Sequence, residues 1–374
     1  MSCKLLLQEI SMQPFPLLAR SLVLCIVVLG GRQGLAAELQ ALHVQENQVV
    51  DASGQPVLLR GVNCAGMEFS NNGEGRILDT VRAAVTEWHA KLVRLPLSQD
   101  RWFGRAPKQD DNGATYRALV RRLVDLCQAN GAHILLDLHW SDAGVWGQNI
   151  GQHNLPDANS IAFWKSIAPL YSANSAVLFD LYNEPTRITW DQWSKGGPVT
   201  ETDEKTGAKL SYEAVGLQGV LDAIRSTGAR NVVVAGGINW AYELEGIPKG
   251  HALSDPRGEG VVYGVHPYPH PFTGIGRESI AQWAARMEAF NRKFPLFVTE
   301  FGSREAVWPF PAGSNYNDER WNREMLATLR AHHWSWTAWD FHPTAWPCLV
   351  ADWTYTPTPE FGVWVKKALL EEER

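Results

Sequence analysis

The stretch "VLFDLYNEP", Val177 to Pro185, decides the fold. Its first six residues are apolar except for Asp180, and it stops on an amide, a carboxylate and a proline. A strand that is apolar along its whole length is covered on both faces, which points to a parallel sheet flanked by helices. Pro185 cannot donate to a strand ladder and closes the run. Asn183 and Glu184 then stand at the carboxyl end of a buried strand. Neighbours in a regular strand point to opposite faces, so both reach one ligand only if the strand bulges or has already ended.

Seven further runs share this pattern: "VLLRGVN" (57–63), "LVRLPL" (92–97), "HILLDLHW" (133–140), "VVVA" (232–235), "VVYGV" (261–265), "LFVT" (296–299) and "SWTAWDF" (335–341). They recur at about the length of a strand–helix unit. Helix-period segments lie between them at 79–89, 116–130, 162–171, 212–227, 280–294 and 321–332. Eight such strands predict an α/β fold, a closed (β/α)8 TIM barrel. The alternative, an open doubly wound sheet, lacks a GxGxxG after the first strand. Alternation and turn residues in "LHVQENQVVDASGQPVLLRGVN" (42–63) predict a short N-terminal β-hairpin leading into the barrel.

The 374 residues suit one such domain. Net charge is -6, so no basic excess exists to bind nucleic acid. Residues 1–37 have the features of a cleaved secretory signal: Arg20, the apolar core "LVLCIVVL" (22–29) and the small residues "GLAA" (34–37). Glu9 in the long leading stretch points to Met12 as the true start, and Leu24 before Cys25 argues against a lipid anchor. The expectation is a secreted protein, extracellular or periplasmic. Residues 38–374 would form a single domain, monomeric and free of membrane after cleavage. Cys64, Cys127 and Cys348 remain in it, and Cys64 and Cys348 either pair or stay as buried thiols. The polar insertion 193–216 is either a solvated loop or a flap beside the site. Seventeen tryptophans are an unusual number and suggest flat surfaces for stacking on sugar rings, with half of them or more serving as core fillers.

Barrel sites lie at the carboxyl ends of the strands. Those ends offer Arg94, His139 and Trp140, Asn183 and Glu184, His266 and Tyr268, Glu300, and Trp339. Any one has a structural explanation, but six strands aiming such groups at one rim do not share one. Two carboxylates at one rim imply acid–base or nucleophilic work. No His/Asp cluster has metal-ligand spacing and no GxSxG is present, so neither a metal, a cofactor nor a serine nucleophile is expected. Paired glutamates among aromatic groups fit glycoside hydrolysis.

"RLP", "LDLHW", "YNEP", "HPY" and "TEFG", in this order from "LRGVN" to "WTAWDF", resemble glycoside hydrolase family 5, a cellulase-type family of retaining (β/α)8 enzymes. The resemblance implies Glu184 as acid/base and Glu300 as nucleophile. It implies Asn183 on the sugar 2-hydroxyl and Arg94 and Tyr268 holding Glu300. His139, His266 and Trp339 would line the subsite at the cleaved bond. Trp140, Trp146, Trp240, Trp308 and Trp346 are candidates for outer subsites. Asp142 and Glu243 lie near the rim, with a solvated face or a sugar hydroxyl as their only expected contacts. The implied substrate is a β-linked glucan, with endo-β-1,4-glucanase first. A β-mannanase or an exo-acting relative is the alternative, and the aromatic loop 340–362 leaves the endo mode open. A non-catalytic carbohydrate-binding barrel would lack a member of this set, and none is missing.

Overall fold

The computed structural model describes residues 39–202, 207–269, 278–306, 309–310 and 316–371. The expected signal segment 1–37 and Trp308 lie outside the described residues. The chain enters through an antiparallel hairpin, β1 (His43–Gln45) and β2 (Gln48–Val50). Strands β3 (Arg60–Asn63), β4 (Leu92–Ser98), β5 (His133–Trp140) and β6 (Val177–Asp180) follow and pair in parallel. A second antiparallel hairpin, β7 (Gly196–Thr202) and β8 (Lys209–Val215), is inserted before the sheet resumes. Strands β9 (Val233–Gly236), β10 (Val261–Val265), β11 (Leu296–Val298) and β12 (Ser335–Ala338) complete it. β9 pairs with β6 and β12 with β3, so the eight parallel strands close into a barrel. Each of the eight apolar runs contributes one strand, and the fold is the (β/α)8 barrel with its N-terminal hairpin.

The helices form the outer layer. Leu217–Ser226 buries Leu217, Val220, Leu221 and Ile224, one stripe at i, i+3, i+4 and i+7. Asp157 and Ser279 open the helices Ala158–Ile167 and Ile280–Asn291 with reciprocal capping boxes. The helical period expected to start at Tyr212 begins only at Leu217, because Lys209–Val215 pairs with Gly196–Thr202 instead. That hairpin buries Val199 and Ala214 against Leu155, a contact invisible to local periodicity. The helix Gly362–Leu370 was not anticipated.

Alternation divides the barrel's side chains. Val93, Leu95, Ile134, Leu136, Phe179 and Val233 face outward and pack with the helices. Leu59, Leu92, Leu135, Leu178, Val234, Val262 and Phe297 face inward as a separate apolar cluster, joined from the hairpin side by Leu42. Gly61 lies so close to β4 that a Cβ there would stand 1.7 Å from the Leu92 carbonyl oxygen, so only glycine fits. Among the described residues eight tryptophans are buried: Trp88, Trp102, Trp164, Trp193, Trp283, Trp321, Trp334 and Trp336. Indole N–H groups find partners in the Leu181 carbonyl for Trp164 and the Gly236 carbonyl for Trp193. Cys64, Cys127 and Cys348 are free and buried, so Cys64 and Cys348 do not pair. No helix among the described residues is long and apolar enough to cross a membrane.

Candidate active site

Above the apolar cluster, the next inward positions on the same strands are polar. Arg94 on β4 has no accessible surface and sits among three carboxylates. Its Nη2 lies 3.1 Å from Asp137, its Nε 2.9 Å from Asp180 and its Nη1 2.6 Å from Glu300. It also donates to Asn63 Oδ1 at 3.1 Å and Asn183 Oδ1 at 2.8 Å. Asn63 in turn donates to the carbonyls of Thr299 and Ala338 at 3.0 and 3.2 Å, tying β3 to the strands beyond it. Burial pushes the Asp137 and Asp180 carboxyls up to about 7, against the pull of Arg94.

β6 ends at Asp180, three residues before Asn183. Glu184 then takes a φ of +48°, in the left-handed region that costs a non-glycine residue roughly 1–2 kcal/mol. The ended strand and this turn bring both side chains into one cluster, which regular alternation forbids. Asn183 Nδ2 lies 3.3 Å from His139 Nε2, and His139 Nδ1 lies 2.6 Å from Asp137. Glu184 Oε1 lies 2.9 Å from His266 Nδ1. Burial lowers His139 to about 4 and His266 to about 3, so both imidazoles are neutral at neutral pH. His266 Nε2 faces the Thr299 hydroxyl at 3.0 Å. A hydroxyl both donates and accepts, so His266 can serve Glu184 in either protonation state.

Glu300 has each oxygen occupied. Arg94 takes Oε1, and the Tyr268 hydroxyl donates to Oε2 at 2.7 Å. Glu184 keeps 18% of its side-chain surface open against 5% for Glu300. Burial nevertheless raises the Glu184 carboxyl to about 7, opposed by the charge of Arg94. Trp339 stacks on His139 with ring centroids 5.5 Å apart and 16° between planes. Trp140 is half-buried beside Phe69, and Trp240 lies under the Arg187 guanidinium, its backbone N–H donating to the Pro185 carbonyl. Trp146 packs edge-on against Phe103, and Arg304 lies 3.4 Å above the exposed Trp346 ring. Glu243 is half-buried and exchanges two backbone hydrogen bonds with Ile238.

Three expectations need correction. Arg94 is not at a strand end and cannot touch substrate, because it is the third residue of β4 and is sealed beneath Glu300. Asp142 is not on a solvated face: it is fully buried, accepting from Gln99 and Asn159 at 2.9 Å each, and burial raises it to about 8. The argument from metal-ligand spacing also fails in form, since barrel closure brings ligand atoms of Glu184, His266 and Glu300 within 4.8 Å of one another. These groups are already bound to Arg94, Tyr268 and Thr299. Sequence reading missed Asp137, Asp180, Asn63 and Thr299. Asp137 and Asp180 carried a signal, being charges inside otherwise apolar strands.

A closed parallel barrel with two glutamates facing each other at its carboxyl rim defines the class. The family model described as cellulase (glycosyl hydrolase family 5) matches residues 50–345, and the chain belongs to that family. Endoglucanase MaCel5A of Microbulbifer sp. (strain ALW1) is 26% identical over 341 residues, covering 87% of this chain and 57% of that protein. Endoglucanase Z of Dickeya dadantii (strain 3937) is 26% identical over 243 residues, covering 64% and 47%. The chain thus spans about half the length of these two relatives. Two solved structures of the beta-glucanase SdGluc5_26A from Saccharophagus degradans, one native and one in complex with cellotetraose, superpose with TM-scores of 0.66 and 0.67. Their identities are 22% and 21%, and each match covers 88% of this chain and 93% of the other. At that identity the likeness carries the fold alone.

Proposed function

We propose that the protein is a secreted, retaining endo-β-1,4-glucanase that works by double displacement, with Glu300 as nucleophile and Glu184 as acid/base. The observation that carries this reading is the closeness of the two carboxyl groups, an oxygen of each lying within 4.8 Å of the other. Retaining pairs stand about 5–5.5 Å apart, whereas inverting pairs leave roughly 6.5–9.5 Å for a water. Secretion is supported by the segment from Arg20 to Ala37. The choice of β-1,4-glucan draws on relatives named endoglucanases and on a neighbour bound to cellotetraose.

Each step has its group. A Glu300 oxygen attacks the anomeric carbon as the glycosidic bond breaks, and the Glu184 proton passes to the leaving oxygen. Burial keeps that proton on Glu184 up to about pH 7. Once Glu300 is an ester its charge is gone, so Glu184 ionises more readily and takes a proton from water as that water attacks. Asn183 donates to the 2-hydroxyl, a bond that tightens in the transition state. Trp339, steadied by His139, lies under the sugar at the cleaved bond. Trp140 and Trp240 would stack on neighbouring sugars.

The test is a panel of carboxymethyl cellulose, mixed-linkage β-glucan, galactomannan and xyloglucan, with product sizes followed over time. Rapid shortening of the β-1,4-glucans is expected, with activity falling above about pH 7 as Glu184 loses its proton. No hydrolysis of any β-glycan would sink the enzyme reading. With an activated β-glucoside and azide, Glu184→Ala should yield the β-glycosyl azide and Glu300→Ala the α-azide. The reverse would exchange the two roles.

A further inference from the structure

Gln152 is an exposed loop residue, yet it grips Asn183 twice. Its Nε2 donates to the Asn183 carbonyl at 2.7 Å, and its Oε1 accepts from Asn183 Nδ2 at 2.9 Å. The Asn183 amide is thereby held from three sides. Arg94 fixes its oxygen at 2.8 Å, Gln152 takes one hydrogen, and the other faces His139 Nε2 at 3.3 Å, the longest of the three contacts. The weakest partner is the one a substrate hydroxyl would displace.

The loop carrying Gln152 is itself clamped. Gly151 and Ser141 exchange backbone hydrogen bonds at 2.9 and 3.0 Å. Next to Gln152, His153 faces acceptors with both ring nitrogens, the Glu201 carboxylate and the Asn149 carbonyl. Two acceptors require two N–H donors, hence a cationic imidazole. Glu201 belongs to β7, and its second oxygen accepts from the Asn154 N–H at 3.0 Å. The Tyr182 hydroxyl donates to the His153 carbonyl at 3.2 Å. The insertion after β6 is therefore neither a free loop nor a detached flap. It is a brace whose strand grips the residues beside Gln152.

We propose that Gln152 is a positioning residue for Asn183. It fixes the amide plane so that one Nδ2 hydrogen is aimed at the 2-hydroxyl, and β7 sets its place through Glu201 and His153. The proposal rests on the reading of Asn183 as donor to that hydroxyl. A donor held in advance stabilises charge developing next to it without reorganising during the reaction.

The test pairs enzyme variants with a substrate deletion. Wild type, Q152A, E201Q and N183A are assayed on 2,4-dinitrophenyl β-cellobioside and on its analogue lacking the 2-hydroxyl of the sugar that bears the leaving group. On the parent substrate, Q152A should lose about 10-fold in kcat/KM, mainly in kcat, and E201Q about 3-fold. On the deoxy analogue both should stay within about 2-fold of wild type. The comparison is internal to each preparation, so a partly unfolded variant does not mimic the result. An equal loss on both substrates would overturn the proposal, since a purely structural role makes no distinction between them. If N183A also fails to distinguish the substrates, the reading of Asn183 falls and takes the proposal with it. If wild type hydrolyses neither glycoside, the functional reading itself has failed.

Discussion

Leu92 and Arg94, Leu135 and Asp137, Leu178 and Asp180, and Phe297 and Thr299 are pairs two residues apart on four strands of the barrel, and both members point inward. The lower members form an apolar cluster closed by Leu42. Of the upper members, Arg94, Asp137 and Asp180 form a charged lattice that reaches Glu300 and Asn183, and Thr299 joins it through Asn63 and His266. One residue pair's rise, about 6.6 Å of strand, separates a core that only fills space from a core that holds charge for the rim. The lower layer gains by leaving water. The upper layer is costly to bury and persists because each charged group meets an opposite charge or a hydrogen bond.

The largest expected effect comes from emptying the upper layer of its cation. Arg94→Met should leave Asp137, Asp180 and Glu300 without their counter-charge, lowering stability by about 3–5 kcal/mol. It should also cut kcat by roughly 100- to 1,000-fold. Denaturant titration with steady-state kinetics checks both. A stable variant of near-normal activity would show that the upper layer is not organised by charge.

The mirror experiment is in the lower layer. Leu135→Ala leaves a cavity under the lattice and should cost about 2–5 kcal/mol, with kcat at low temperature within about 2-fold of wild type. A large fall in kcat in folded protein would mean that the two layers are coupled.

The smallest effect separates the layers by pH. Asp137 and Asp180 have folded values raised to about 7 from an ordinary 3.8, so their protonated forms favour the fold. Their contribution is fully present below the unfolded value and is lost as pH rises through about 7. Asp180→Asn removes one titrating group, so its melting temperature should fall less than that of wild type between pH 4 and pH 7. Parallel curves for the two proteins would contradict the raised value. Apolar substitutions in the lower layer should leave the slope unchanged.

Much of this arrangement was legible in the chain. Eight apolar runs at strand length, with helical periods between them, left one compact solution, and the polar groups at their carboxyl ends named the rim. Asp137 and Asp180 were visible as charges that apolar strands have no local reason to carry. Other features had no sequence signal. Gln152 is a polar residue in a polar loop, and nothing nearby marks its bond to Asn183. β8 carries a pattern that suits a helix as well as a strand, and its pairing with β7 settled the matter. Asp142 looked like a rim carboxylate until its burial with Gln99 and Asn159 was seen.

By itself the sequence determined the number of barrel strands, the faces they bury and which residue types stand at the barrel mouth. Those follow from periodicity and from the cost of burying polar groups, which act over a few residues. Only the tertiary structure decided which groups meet. Closing β12 onto β3 gathers Glu184, His266 and Glu300 from beyond three separate strand ends, over Arg94 from within β4. The left-handed turn at Glu184 brings it to the same side as Asn183. Distances across a ring depend on how the strands close, and no local pattern in the chain encodes that closure residue by residue.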